Sequence, residues 1–191
     1  IYEGDSTIDF YLFCLKKYPQ ILKYFPKQIL GMLKYKMKSI NKTQFKEDFF
    51  SFLREIPDVK KEVRIFWKRK KKKIKKWYIE QRKPDDVIIS ASPEYLLKEI
   101  CDELEIKYLI ASKVEEKTGK FMGENCYGEE KRIRFQNIFG NVDIEKFYTD
   151  SYSDKPMACI AQKAYIVKKN NIIQWMSVSY THLTLPTIRL V

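Results

Sequence analysis

The stretch F-Y-T-D-S-Y-S-D, Phe147 to Asp154, decides how the rest of the chain is read. An apolar pair runs into Asp150, and a second carboxylate follows at Asp154. Ser151 and Ser153 lie between them, and Pro156 opens a helix. Two carboxylates at the end of a short strand, on a loop of small residues, can hold a hard cation such as Mg²⁺ through oxygen. The same letters also suit a solvated turn, with Asp154 merely capping the helix near Pro156.

Working outward, the sequence from Asp85 onward alternates short apolar runs with helical patterns. Val87-Ile88-Ile89 has the continuous apolar character of a buried parallel strand. It ends in Ser90-Ala91-Ser92, and Pro93 sits where helices begin. Glu94 to Leu104 reads as an amphipathic helix, Tyr108-Leu109-Ile110 as a strand, and Val114 to Met122 as a small hairpin. A helix follows over Glu129 to Phe139, then a strand over Lys146 to Thr149, a short helix over Pro156 to Ala161, and a strand over Ala164 to Val167. This alternation predicts an α/β fold with a doubly wound parallel sheet, in which ligands sit at the carboxyl ends of strands. Ser90 and Asp150 both fall at such ends.

The first part of the chain has a different character. Residues 1–84 carry 23 Lys/Arg against 9 Asp/Glu, while residues 85–191 carry 14 against 16. The two parts are therefore expected to be separate structural units. Residues 1–8 read as a loop, with Gly4 at a turn and Asp5 or Ser6 available to cap the next helix. From there to Lys83 the pattern is helical, punctuated by Pro19, Pro26, Asn41-Lys42-Thr43 and Pro57. Ile29, Met32, Leu33 and Met37 keep helical spacing, as do Val63, Phe66, Trp67, Ile74, Trp77 and Tyr78. A bundle of four helices is expected. Within it, K-R-K-K-K-K-I-K-K, Lys68 to Lys76, reads either as the solvated face of an amphipathic helix or as a patch for nucleic acid or anionic membrane.

Composition narrows the classes. No apolar run is long and uncharged enough to read as a membrane span. The four cysteines (Cys14, Cys101, Cys126, Cys159) form no C-x-x-C pair, and there is a single His, which argues against a zinc site. Reduced thiols and a cytoplasmic location are expected.

Ser90 after an apolar strand, a Lys at the start of a later helix, and a carboxylate pair after the next strand together resemble the haloacid dehalogenase superfamily of phosphohydrolases. The order is similar to its phosphoserine-phosphatase-like branch, which carries a helical cap inserted early in the chain. The resemblance spans residues 1 to about 175. V-I-I-S-A-S resembles the second motif, and G-E-E-K, Gly128 to Lys131, the third. T-D-S-Y-S-D resembles the fourth, although Thr149 stands where that motif usually has Gly. The first motif, an Asp-x-Asp-Gly-Thr loop that carries the nucleophile, has no counterpart here, and I-Y-E-G-D-S-T resembles the segment just after that loop. On this resemblance the core comprises residues 1–8 and 84–176, without its first strand and first motif, and the cap comprises residues 9–83.

The resemblance implies Mg²⁺-dependent hydrolysis of a phosphate monoester through an aspartyl-phosphate. Ser90 would hydrogen-bond a phosphoryl oxygen beside the Ala91 amide, and Lys131 would counter phosphoryl charge. Asp150 and Asp154 would serve Mg²⁺, and Asp5, Ser6, Ala91 and Ser92 would line the substrate pocket. Each has a plainer reading: Ser90 as a cap for the helix after Pro93, Lys131 as one of many surface lysines beside Arg132 and Arg134, Asp5 as a helix cap. Small phosphorylated metabolites and lipid phosphates both suit such a site. Without its nucleophile the chain as written is expected to be inactive. The alternative is a basic nucleic-acid or anionic-lipid binding module riding on a catalytically dead core. A third reading is a pseudo-phosphatase that binds a phosphorylated partner.

The end of the chain, S-V-S-Y-T-H-L-T-L-P-T-I-R-L-V over residues 177–191, departs from the pattern. S-V-S-Y-T-H-L resembles the translation of a transposon-end sequencing adapter. This segment, with His182, is expected to be foreign to the fold and to carry no function.

Overall fold

The structure is a computed structural model in which residues 1–175 are described. The expected foreign segment, residues 177–191, lies outside them. Five helices come first: α1 (Ser6–Lys17), α2 (Phe25–Lys36), α3 (Lys42–Phe50), α4 (Val59–Lys70) and α5 (Lys76–Gln81), with 3-10 turns at Pro19–Tyr24, Ser51–Glu55 and Lys71–Lys73. Then follow β1 (Val87–Pro93), α6 (Glu94–Glu103), β2 (Tyr108–Ser112), α7 (Glu129–Phe139), β3 (Ile144–Thr149), α8 (Lys155–Ala158), β4 (Ala161–Lys168) and β5 (Asn171–Gln174).

Local chemistry explains where the helices start. Asp5 accepts from the Thr7 and Ile8 amides and caps α1. Asn41 and Gln44 form a reciprocal capping box on α3. Asp58 accepts from the Lys61 amide and caps α4. The single long helix expected through Trp67, Ile74 and Trp77 is instead broken. The basic run spans the end of α4, a 3-10 turn and the start of α5, because Ile74 leaves the helix to pair with Tyr2 in an antiparallel bridge.

The chain is a mixed α/β protein with parallel strands. β1 and β2 pair in parallel, with Ser90 opposite Ala111, and β3 pairs in parallel with β4. Two details differ from the expectation. β5 turns back antiparallel to β4 and adds an edge to the sheet. Val87, Ile88 and Ile89, expected to be buried, are only half-buried. The reason is that β1 bonds a neighbour on one edge only among the described residues, and β3 likewise bonds only β4. The hairpin expected over Val114 to Met122 reduces to one bridge between Val114 and Phe121 around a turn at Gly119.

One aromatic-rich cluster joins the helical half to the first strands. Phe10, Phe50, Phe52, Phe66 and Trp67 are buried with Leu96, Ile100 and Ala111. The Trp67 indole N–H donates to the Leu96 carbonyl at 2.6 Å, so this large ring is buried with its polar atom satisfied. A smaller cluster of Ile110, Cys126, Phe135 and Met157 sits under the carboxyl ends of the strands. All four cysteines are free.

Candidate active site

The carboxyl end of β3 turns through Thr149 and Asp150 into a 3-10 turn, Tyr152–Asp154, which folds Asp154 back into the protein. Asp154 is 4% exposed, and it makes no side-chain cap bond to the following helix. Its Oδ2 accepts from the Lys131 Nζ at 2.7 Å and from the Thr149 hydroxyl at 2.7 Å. Its Oδ1 is buried with no hydrogen-bond partner. A buried carboxylate oxygen left open in this way costs free energy unless something fills the position.

Lys131 reaches this point from the first turn of α7. Gly128, at φ +59°, opens that helix in a backbone conformation that favours glycine. The surface reading of Lys131 gives way to a buried ion pair. Its neighbours face elsewhere: Arg132 pairs with Glu129, and Arg134 pairs with Glu130 while donating to the Ala111 and Glu124 carbonyls. Thr149, the departure from the usual glycine, holds the loop together. Its hydroxyl donates to Asp154 and accepts from the Ser151 amide at 3.1 Å. Asp150 is exposed.

The second group lies at the carboxyl end of β1. The Ser90 hydroxyl accepts from the Ser92 amide at 3.1 Å, within the irregular end of β1 between Ser90 and Pro93, rather than capping α6, whose N-cap is Pro93. Thr7 of α1 donates to the Ser92 hydroxyl at 3.1 Å, which ties the start of the helical half to the end of β1. Ser6 is buried beside Thr7, and Asp5 is exposed and occupied with capping.

Sequence reasoning missed Lys46. It sits on α3 and donates to the Ala91 carbonyl at 2.5 Å and the Asn125 side-chain oxygen at 2.9 Å. Both partners are neutral. Burial lowers its pKa to about 8, and the Lys42 charge adds to that. Asn125 also accepts from Ser112 at 3.1 Å, and its Nδ2 is buried without a partner. A largely buried ammonium with a proton to spare, beside an open amide donor, favours an anion. No spacing in the sequence marks Lys46 among the chain's many lysines.

The segment Asn125 to Gly128 joins the two groups: Asn125 holds Lys46, and Gly128 launches the helix that carries Lys131. For a cation such as Mg²⁺, which takes one or two carboxylates and keeps several waters, the candidate ligands are the buried, unpartnered Asp154 Oδ1 and the exposed Asp150. No group of three or more His, Cys, Asp or Glu side chains is poised around one point among the described residues.

Four of the eight cations of the basic run make ion pairs or hydrogen bonds within the protein. Lys73 and Lys70 pair with Asp9, Lys71 with Glu103, and Lys75 donates to the Lys169 carbonyl.

Parallel strands, with Ser90 near the carboxyl end of one and a Lys-paired carboxylate loop after another, define a mixed α/β protein whose candidate site lies at the strand ends. The family model described as haloacid dehalogenase-like hydrolase matches residues 1–158, and the chain belongs to that family. No curated protein and no solved structure matches it. No helix among the described residues is long and apolar enough to cross a membrane.

Proposed function

We propose that the protein from which this chain derives is a Mg²⁺-dependent phosphate-monoester hydrolase of the phosphoserine-phosphatase-like kind, with residues 9–83 as its cap. The observation that carries the reading is the buried Lys131–Asp154 pair with an unpartnered carboxylate oxygen at the end of β3. A fixed cation beside an oxygen-ligand loop is what phosphoryl transfer needs, because its catalysis is mostly positioning and charge stabilisation.

In this reading Ser90 and the Ala91 amide hold phosphoryl oxygens, and Lys131 neutralises charge that develops on them. Lys46, on α3 of the cap, supplies a second cation for the anionic substrate. Asp5, Ser6 and Ser92 line the approach. Asp150 and Asp154 would hold Mg²⁺, which when bound supplies further neutralisation of the phosphate. Thr149 keeps Asp154 in place. Substrates are phosphorylated small molecules, with lipid phosphates in the same chemical class.

The 191 residues contain no Asp-x-Asp stretch. The reading therefore assigns the nucleophile to residues outside them, entering on a strand between β1 and β3, whose unpaired edges support that assignment. As written, the chain binds phosphate but does not turn over. The test is phosphate release from a panel of monoesters by the protein expressed with its gene's upstream codons. Release is expected to need Mg²⁺ and to vanish in Lys131→Ala and Asp150→Asn. Turnover that survives both substitutions, or that the 191-residue chain performs alone, overturns the reading.

A further inference from the structure

Helix α2 is turned inside out. Its buried side holds Gln28 and Gly31, while Phe25, Ile29, Leu30 and Leu33 stand on the outside with Met37 just beyond. Leu30 is 51% exposed, Leu33 48% and Met37 75%. The cause lies in what α2 packs against. Gln28 spends its amide inside, accepting from the Tyr11 hydroxyl at 3.0 Å and donating to the Phe49 carbonyl at 3.0 Å. Gly31 lets α3 close in, since a Cβ there would lie 2.8 Å from the Asp48 carboxylate. With the small and polar residues claimed by that contact, the apolar stripe at 3.6-residue spacing faces out. A contiguous apolar helix face in water marks an interaction surface.

The charge around it says what covers it. Residues 10–46 contain nine lysines and no acidic residue. Lys27 reaches Asp48, but Lys34, Lys36 and Lys38 have no ion pair among the described residues. Two copies of this face would bring lysine against lysine, which disfavours self-association. A helix with apolar residues on one face and lysines around it matches the surface of an anionic bilayer, where the apolar side chains enter the acyl boundary and the lysines meet headgroup phosphates. We propose that the outer face of α2, centred on Leu30 and Leu33 and flanked by Lys34, Lys36 and Lys38, docks the protein on anionic lipid membranes. The proposal is independent of the catalytic reading.

The test is co-sedimentation of the chain with vesicles of phosphatidylcholine alone or of phosphatidylcholine and phosphatidylglycerol in equal parts. Binding is expected to the mixed vesicles only, and to fall steeply as salt rises. The double variant Leu30→Ser with Leu33→Ser is expected to bind on the order of thirtyfold more weakly, because two half-exposed leucines no longer insert. Both positions are half in water, so an unchanged circular dichroism spectrum and urea midpoint are expected. Lys71→Gln with Lys72→Gln, in the basic run, is expected to leave binding intact, as is the exposed Asp150→Asn, which separates membrane docking from the active site. Absence of binding to the mixed vesicles overturns the proposal. So does equal binding by the double leucine variant. So does a wild-type dimer that the leucine changes dissolve while vesicles go unbound, since a second copy would then be the occupant.

Discussion

Lys131→Met removes the cation from an ion pair almost closed to water. Lys131 is 9% exposed and Asp154 is 4% exposed. After the substitution, Asp154 keeps one donor, the Thr149 hydroxyl at 2.7 Å, and its Oδ1 still has none. Removing one partner of such a pair costs about 3–5 kcal/mol, because the other charge stays buried and uncompensated. A domain's total stability is about 5–15 kcal/mol, so a fifth or more of it is at stake. At about 2–4 °C per kcal/mol for a chain of this length, Tm is expected to drop by roughly 6–20 °C. Urea unfolding followed by tryptophan fluorescence gives the free energy directly. Adding Asp154→Leu to Lys131→Met is expected to restore most of the loss, since an apolar pair carries no desolvation penalty. A loss below about 1 kcal/mol, the size of an exposed ion pair, would mean that the Lys131–Asp154 pair is not a buried, stabilising contact.

Four further outcomes are expected. The lowered pKa of Lys46, about 8 against 10.5, means that the unfolded chain binds the extra proton between those pH values. Stability from this group therefore rises as pH climbs through that window, by up to about 3 kcal/mol, and Lys46→Met is expected to lack the rise when urea midpoints are compared across it. Lys46→Met is also expected to bind inorganic phosphate at least about tenfold more weakly, measured by calorimetry, which is the size of one lost charge-assisted hydrogen bond. Gly119→Ala is expected to unfold or severely destabilise the chain: φ is +75°, and the added Cβ would stand 2.3 Å from the Phe50 backbone oxygen. Trp67→Phe removes the indole bond to the Leu96 carbonyl and leaves a void, and is expected to cost about 2–4 kcal/mol in urea unfolding.

The α/β character was legible because its strands are short apolar runs between helix signals. The helix over Glu129 to Phe139 emerged with the expected bounds, since Gly128 and Gly140 punctuate it on either side. Residue identity could not say which face of α2 is buried. The spacing of Ile29, Leu33 and Met37 marks a stripe, but the choice of side follows from Gly31 meeting α3 and Gln28 finding two partners there. β5 was missed because Asn171–Gln174 is short and half polar, and only pairing with β4 makes it a strand. At the site, the residue types and order pointed to Lys131 and Asp154, yet their direct contact depends on a 3-10 turn. Thr149 looked like a departure from a pattern and emerges as a hydroxyl that anchors Asp154. Lys46 was invisible because its meaning comes from Ala91 and Asn125, far away in the chain.

The most direct test of the hydrolase reading is Mg²⁺-dependent phosphate release from a monoester panel by the protein translated with its upstream codons, wild type beside Lys131→Ala. Release by the wild type that chelation abolishes and that the variant lacks is expected. Release of equal rate from both proteins, or none from a wild type that carries an Asp-x-Asp motif ahead of Ile1, would contradict it.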